Sequence, residues 1–247
     1  MNICLFSSEE INQPLSLKDE RAQHIVKVLH KKEGDTFDAG IIGGASGIAT
    51  ITSISSEESI SFEFKPTGRG KPLYPLTMII GFPRPIQLKR LFRDIAGLGV
   101  KKVILAGTEL TEKSYLDSNV IKDGSACRML LDGTVQAAST HVPELVVCKS
   151  LKDAVEEAVS APENAMASFI ALDNRRMTTS LHEFLQKEGA ASMVAAIGSE
   201  RGWTDKERDL LEQSGFTLCS MGSRVLRTET AATVAASIIL DSMGFLN

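Results

Sequence analysis

Two short runs hold residues whose types and spacing suit ligand chemistry. Gly198-Ser199-Glu200-Arg201-Gly202-Trp203 follows an apolar stretch ending at Ile197, and Met221-Gly222-Ser223-Arg224-Val225-Leu226-Arg227-Thr228-Glu229-Thr230-Ala231 leads into an alanine-rich segment. Gly198, Gly202 and Gly222 allow backbone to approach a ligand closely, or serve only as turns. Leu172, Ile197, Met221 and Leu226 are placed to give such a site apolar walls, although residues of these types are core by default. Arg227, Thr228 and Glu229 fall at a helix entrance, where free N–H groups favour an anion. Thr228 reads as the N-cap, with Glu229 in the first turn. A guanidinium at Arg227 could stabilise a developing negative charge or hold a phosphate. Glu200 either fixes the shape of the first loop or touches ligand. Arg201 reaches a phosphate, narrows the site or points outward, and nothing in the sequence separates these.

The elements that must carry these runs follow from hydrophobic rhythm. Strands are expected at 76–82, 100–106, 145–147, 168–172, 192–197 and 216–219, alternating with helices at 85–98, 124–139, 151–159, 179–187, 205–213 and 230–243. Alternation of this kind implies a mostly parallel sheet covered on both faces, and such sheets bind ligands beyond the carboxyl ends of their strands. Both glycine-bearing runs fall at such ends. Thr204 and Glu207 have capping-box spacing for the helix opening at Asp205. Ahead of this domain, short strands at 3–6, 36–42, 47–53 and 59–64 and a helix at 17–28 suggest a small, mostly β barrel. The Pro- and Gly-bearing stretch 65–72 reads as a linker, dividing the chain into domains 1–68 and 73–247.

Bulk properties narrow the partners. With 27 Lys and Arg against 31 Asp and Glu, the formal net charge of −4 argues against a protein that coats nucleic acid indiscriminately. A local basic bias exists: Arg84, Lys89, Arg90, Arg93, Lys101 and Lys102 face only Asp94 in that stretch, which attracts a polyanion or forms a solvated helix face. The 4 cysteines form no CxxC pair and the 4 histidines no ligand set, so no metal site is expected. No run approaches eighteen apolar residues and the first residues lack a secretory pattern, so the expectation is no membrane span and a cytoplasmic location.

The run Arg224-Val225-Leu226-Arg227-Thr228-Glu229-Thr230-Ala231, at its spacing from Gly198-Ser199-Glu200-Arg201-Gly202-Trp203, resembles the RsmE family, SPOUT-class methyltransferases acting on 16S ribosomal RNA. His24-Ile25-Val26-Lys27-Val28-Leu29 before Gly34-Asp35, Leu98-Gly99-Val100, and Gln136 with Val142-Pro143-Glu144 carry the resemblance over essentially the whole chain. It implies an α/β fold, with a SPOUT trefoil-knotted methyltransferase domain preceded by a PUA-like barrel, working as a homodimer. It also implies methyl transfer from S-adenosyl-L-methionine to N3 of a uridine in 16S ribosomal RNA or the assembling small subunit, without a metal. Carried onto this sequence, the cofactor residues would be Leu172, Ile197, Gly198, Glu200, Gly202, Met221, Gly222, Leu226 and Thr228. The catalytic residues would be Arg227 and Glu229, and the substrate residues Lys27, Arg128, Gln136, Arg201 and Arg224. Ser199 stands where the family usually has proline and Arg201 where it has glycine; Arg93–Gly97 and Ser139–His141 also depart from its pattern. The cofactor half follows the family more closely than the RNA-facing half, which leaves open another RNA or base, or an RNA-binding homologue without transfer.

Overall fold

The computed structural model describes residues 2–55, 58–187 and 191–246, so Met1 and Asn247, the outer limits of the two expected domains, lie outside the described residues. The chain divides into two units, Met1–Pro72 with Leu131–Val142 and Leu73–Leu130 with Pro143–Asn247.

The first unit contains β1 (Cys4–Phe6), β2 (Leu15–Ser16), α1 (Glu20–Gln23), β3 (Thr36–Ile41), β4 (Ser46–Ile54) and β5 (Ser59–Gly68). Its sheet runs β1-β3-β4-β5-β2, a curled half-barrel, in keeping with the small, mostly β barrel expected. Alternation makes the sheet one-sided: Ala49 and Ile51 point inward while Ile48 and Thr50 are exposed. The inward side packs Phe62 against Phe6 and Phe37, with ring centroids 5.0 and 5.7 Å apart. The helix expected at 17–28 begins only at Glu20, where Asp19 accepts from the Arg21 backbone N–H, and it passes into a π-helical turn at His24–Val28. The expected linker is also shorter, because β5 stays paired with β4 through Gly68. Pro66 is tolerated within that strand because it faces Gly47 beside a register shift.

By their contacts, residues 131–142 group with this unit. Gly43 N–H donates to the Thr140 carbonyl (2.8 Å), Thr140 Oγ1 donates to Gly44 O (2.8 Å), and Ser139 Oγ donates to Lys71 O (3.2 Å). Such long-range pairing leaves no trace in local periodicity.

The second unit follows the expected α/β alternation. In chain order it has β6 (Tyr74–Gly81), α2 (Pro85–Leu98), β7 (Val100–Ala106), the short α3 (Lys113–Leu116) and α4 (Asn119–Lys122), and α5 (Ser125–Gln136), whose last residues fall in the first unit. Then come β8 (Glu144–Cys148), α6 (Leu151–Ser160), β9 (Ser168–Leu172), β10 (Thr179–Ser180), α7 (Leu181–Lys187), β11 (Met193–Ile197), α8 (Asp205–Gln213), β12 (Thr217–Ser220) and α9 (Thr228–Ser242). The sheet is parallel throughout, in the order β10-β12-β9-β11-β6-β7-β8. Central strands read as continuous apolar runs because helices cover both faces; all of β11 is buried. Helix α2 starts with Pro85 in its first turn, buries Leu88, Leu91, Phe92 and Ile95 at helical spacing, and ends on left-handed Gly99 (φ +78°). Burying each such side chain is worth about 1.5–3 kcal/mol.

One feature of the strand order shapes the site. β12 lies between β9 and β10, which are already joined by the segment 173–178. Leu172 and Thr179 both face Cys219, so that segment crosses β12. Both its ends bond to β12: Asp173 N–H donates to Cys219 O and Thr178 N–H to Leu218 O, each at 2.9 Å. Among the described residues, no helix is long and apolar enough to cross a membrane, and no three His, Cys, Asp or Glu side chains gather to hold a metal ion.

Candidate functional site

Beyond the carboxyl ends of β9, β11 and β12 the second unit opens into a cavity of about 260 Å³. Four pieces of chain build it: residues 172–175, Ile197 with the turn 198–203, Arg208 of α8, and the segment 221–228 with Ala231 of α9.

Local chemistry holds each piece in place. Gly202 takes φ +73° and returns its N–H to Ser199 O at 2.8 Å, closing the first turn. Behind it the turn presses on β6 so closely that a Cβ at Gly81 would fall 2.4 Å from the Ser199 nitrogen. The turn ends on Trp203, whose buried ring donates from Nε1 to Leu172 O at 2.9 Å and ties it to the β9 end. The capping box of Thr204 and Glu207 then starts α8 as expected. Thr228 Oγ1 donates to Gly198 O at 3.3 Å, joining the two glycine-bearing segments. Thr228 is therefore not the N-cap: Arg227 holds that position and makes no side-chain cap bond.

The cavity wall divides by polarity. Leu172, Ile197, Met221 and Leu226 give it apolar faces. Among the described residues, nothing accepts a hydrogen bond from the backbone N–H groups of residues 221–227. Apolar faces flanked by free backbone donors suit a flat heteroaromatic ring with polar edges. The floor carries a buried ion pair: Arg208 donates from Nη2 to Asp173 Oδ1 (3.0 Å) and from Nε to Oδ2 (3.1 Å), each side chain 4% exposed. Burial pushes the Asp173 carboxyl up, but the Arg208 guanidinium and the backbone N–H groups of Arg176 and Arg175 outweigh it and hold it below its ordinary value. Opposite, Glu200 pairs with Arg84 Nε at 3.2 Å in a solvent-exposed contact.

Of the expected cofactor residues, Leu172, Ile197, Gly198, Glu200, Gly202, Met221, Leu226 and Thr228 line this one cavity; Gly222 turns the segment (φ +90°) without lining it. Arg201 and Arg224 line it as well. Two expected catalytic residues stand off the wall: Arg227 is exposed between the wall residues Leu226 and Thr228, and Glu229 is buried in the first turn of α9. Arg128 is exposed on α5, while Lys27 and Gln136 are exposed in the first unit. Among the wall residues that sequence reasoning left out are Asn174, Arg175, Trp203 and Arg208. The Asp173–Arg208 pair joins positions 35 apart; the one available signal was a charged residue directly after an apolar strand.

The chain matches the RNA methyltransferase domain family over residues 69–240. It is 38% identical to the ribosomal RNA small subunit methyltransferase E of Treponema pallidum, covering 97% of this chain and 91% of that protein. It is 34% identical to the ribosomal RNA small subunit methyltransferase E 1 of Borreliella burgdorferi, covering 98% of each. In fold it is similar to the crystal structure of a ribosomal RNA small subunit methyltransferase E from Neisseria gonorrhoeae bound to S-adenosyl methionine. That TM-score is 0.77 at 19% identity, over 98% of this chain and 97% of that one.

Proposed function

The chain belongs to the RsmE family of RNA methyltransferases, and from that premise we propose its reaction: methylation of N3 of a uridine in 16S ribosomal RNA, with S-adenosylmethionine as donor. The observation that carries this reading is the cavity at the ends of β9, β11 and β12, with apolar faces beside unpaired backbone donors at 221–227.

The residues present fit that cofactor. Leu172, Ile197 and Leu226 would cover the faces of an adenine, and the backbones of Gly198, Gly202 and Met221 would meet its edges. When bound, S-adenosylmethionine supplies a methyl group activated by its sulfonium. Thr228 acts by tying the two loops, while Glu200 lines the cavity and pairs with exposed Arg84. On the acceptor side, the N3–H bond of uridine would break, its proton passing to solvent, and N3 would take the methyl group released from the cofactor's C–S bond. Arg227, exposed beside the wall, orients the uracil and stabilises the charge that N3 gains. Glu229 is assigned to the helix, not to proton transfer, because it is buried away from the cavity. Holding the two reactants in line supplies much of the rate, and the uridine must leave its stack to enter.

The partners follow. The first unit, with exposed Lys27 and Gln136, contacts neighbouring RNA, and Arg128 adds a contact from α5. The enzyme works in the cytoplasm as a homodimer; exposed Val234 and Ile238, one turn apart on α9, support an apolar contact between copies.

The test is tritium transfer from methyl-labelled S-adenosylmethionine to unmodified 16S RNA and to small subunits, read by nucleoside mass spectrometry. N3-methyluridine is the expected product. Cofactor binding without product on either substrate would sink the proposed reaction.

A further inference from the structure

Four arginines line the cavity, and they fall into two kinds. Arg208 is buried and bound to Asp173 and Asp205. Arg175, Arg201 and Arg224 are exposed, and among the described residues no carboxylate lies within ion-pair distance of any of them. The two acids of the wall are already engaged, Asp173 by Arg208 and Glu200 by Arg84. Three uncompensated positive charges therefore surround one opening, in a chain whose formal net charge is −4.

The position of Arg175 is built. It lies on the segment 173–178 that crosses β12, and Asp173 Oδ2 accepts from the backbone N–H groups of both Arg175 and Arg176. Asp173 is itself gripped through both oxygens by Arg208. The neighbouring guanidinium of Arg176 is taken up by Asp209 and Glu212. Of two adjacent arginines, one closes onto the protein and the other is left beside the cavity.

We propose that Arg175, Arg201 and Arg224 form a phosphate-binding rim around the cavity, gripping the phosphodiesters that flank the extruded nucleotide, with Arg175 a substrate-positioning residue set by the Asp173–Arg208 pair. Guanidinium forks match phosphate oxygens bidentately. Contacts to backbone phosphates fix where a strand lies without reading its sequence. The rim thus supplies registry at the mouth of the cofactor cavity. The inference rests on the methyltransferase reading and adds the RNA backbone as the ligand of named side chains.

The experiment compares the full chain with R175Q, R175K and the control K187Q, an exposed lysine outside the cavity. Binding of a labelled, single-stranded, uridine-containing RNA is measured by anisotropy over a salt series, and S-adenosylmethionine binding by calorimetry. R175Q is expected to weaken RNA binding about tenfold and to flatten the slope of log affinity against log salt by about 0.7, one phosphate contact on a single strand. R175K should retain most of that slope, and K187Q and all cofactor affinities should match the parent. Unchanged RNA binding by R175Q overturns the proposal. So does lost cofactor affinity with an unchanged salt slope, which would assign Arg175 to the cofactor's carboxylate. If the parent binds cofactor but no RNA, the rim falls. If the parent binds no cofactor while R175Q still loses RNA affinity, the methyltransferase reading falls and the rim stands.

Discussion

The pairs Asp173–Arg208 and Glu200–Arg84 each join an acid from a strand-end loop to a guanidinium, and both acids line one cavity. The first is 4% exposed on both sides and makes two parallel N–H···O bonds; the second is 36% and 63% exposed and makes one. Water screens the second pair and competes for both its partners, so it contributes little to stability and exchanges readily. The first has lost that hydration, so each charge depends on the other. One pair holds the cavity in shape, and the other is free to yield to an incoming RNA.

The sharpest way to break this contrast is Arg208→Ala, which leaves the Asp173 carboxylate buried without its partner. Loss of about 3–5 kcal/mol in urea unfolding is expected, together with loss of cofactor binding by calorimetry. The double variant D173L/R208L should regain much of that stability but not the cofactor affinity. Equal instability of double and single variants would mean that the pair stabilises the fold directly.

Acid should sharpen the same point. The folded Asp173 carboxyl is held below its unfolded value near 3.9. Its stabilising contribution is therefore present above that value and lost as pH falls through it toward the lower folded value. Unfolding midpoints of the parent should drop below about pH 4 more steeply than those of D173L/R208L.

On the same wall, Trp203→Phe removes the bond to Leu172 O, for an expected loss of about 1 kcal/mol with weakened cofactor binding. Thr204→Ala, one residue on but part of the α8 cap, should cost about 1 kcal/mol and leave cofactor affinity unchanged. Glu200→Gln should leave the unfolding midpoint where it was and alter only RNA affinity. A shifted midpoint would show that the exposed pair, too, is structural.

Where local chemistry decides structure, the sequence was legible. Strands β7 and β9 and helix α8 fall at the expected residues, because apolar runs, Gly99 and the Thr204–Glu207 box act within a few positions. The glycine-bearing turns were legible for the same reason, and so were the walls they carry. The two-residue strands β2 and β10 and the short α3 and α4 were not, since each owes its existence to neighbours distant in sequence. Thr140 folds back on Gly44 across 96 positions, and Arg208 reaches Asp173 across 35. Thr228 looked like a cap because of its type and place; its hydroxyl instead bonds a carbonyl from another strand end.

The crossing of β12 by the segment 173–178 also sets an order of events during synthesis. When residues 198–203 leave the ribosome, the opposite wall of the cavity does not yet exist. β12 must then find its place between two strands that are already connected, an arrangement dominated by distant contacts and reached slowly. The cavity is therefore complete only at the end of folding, and a nascent chain in which β12 has not yet paired cannot hold a ligand there.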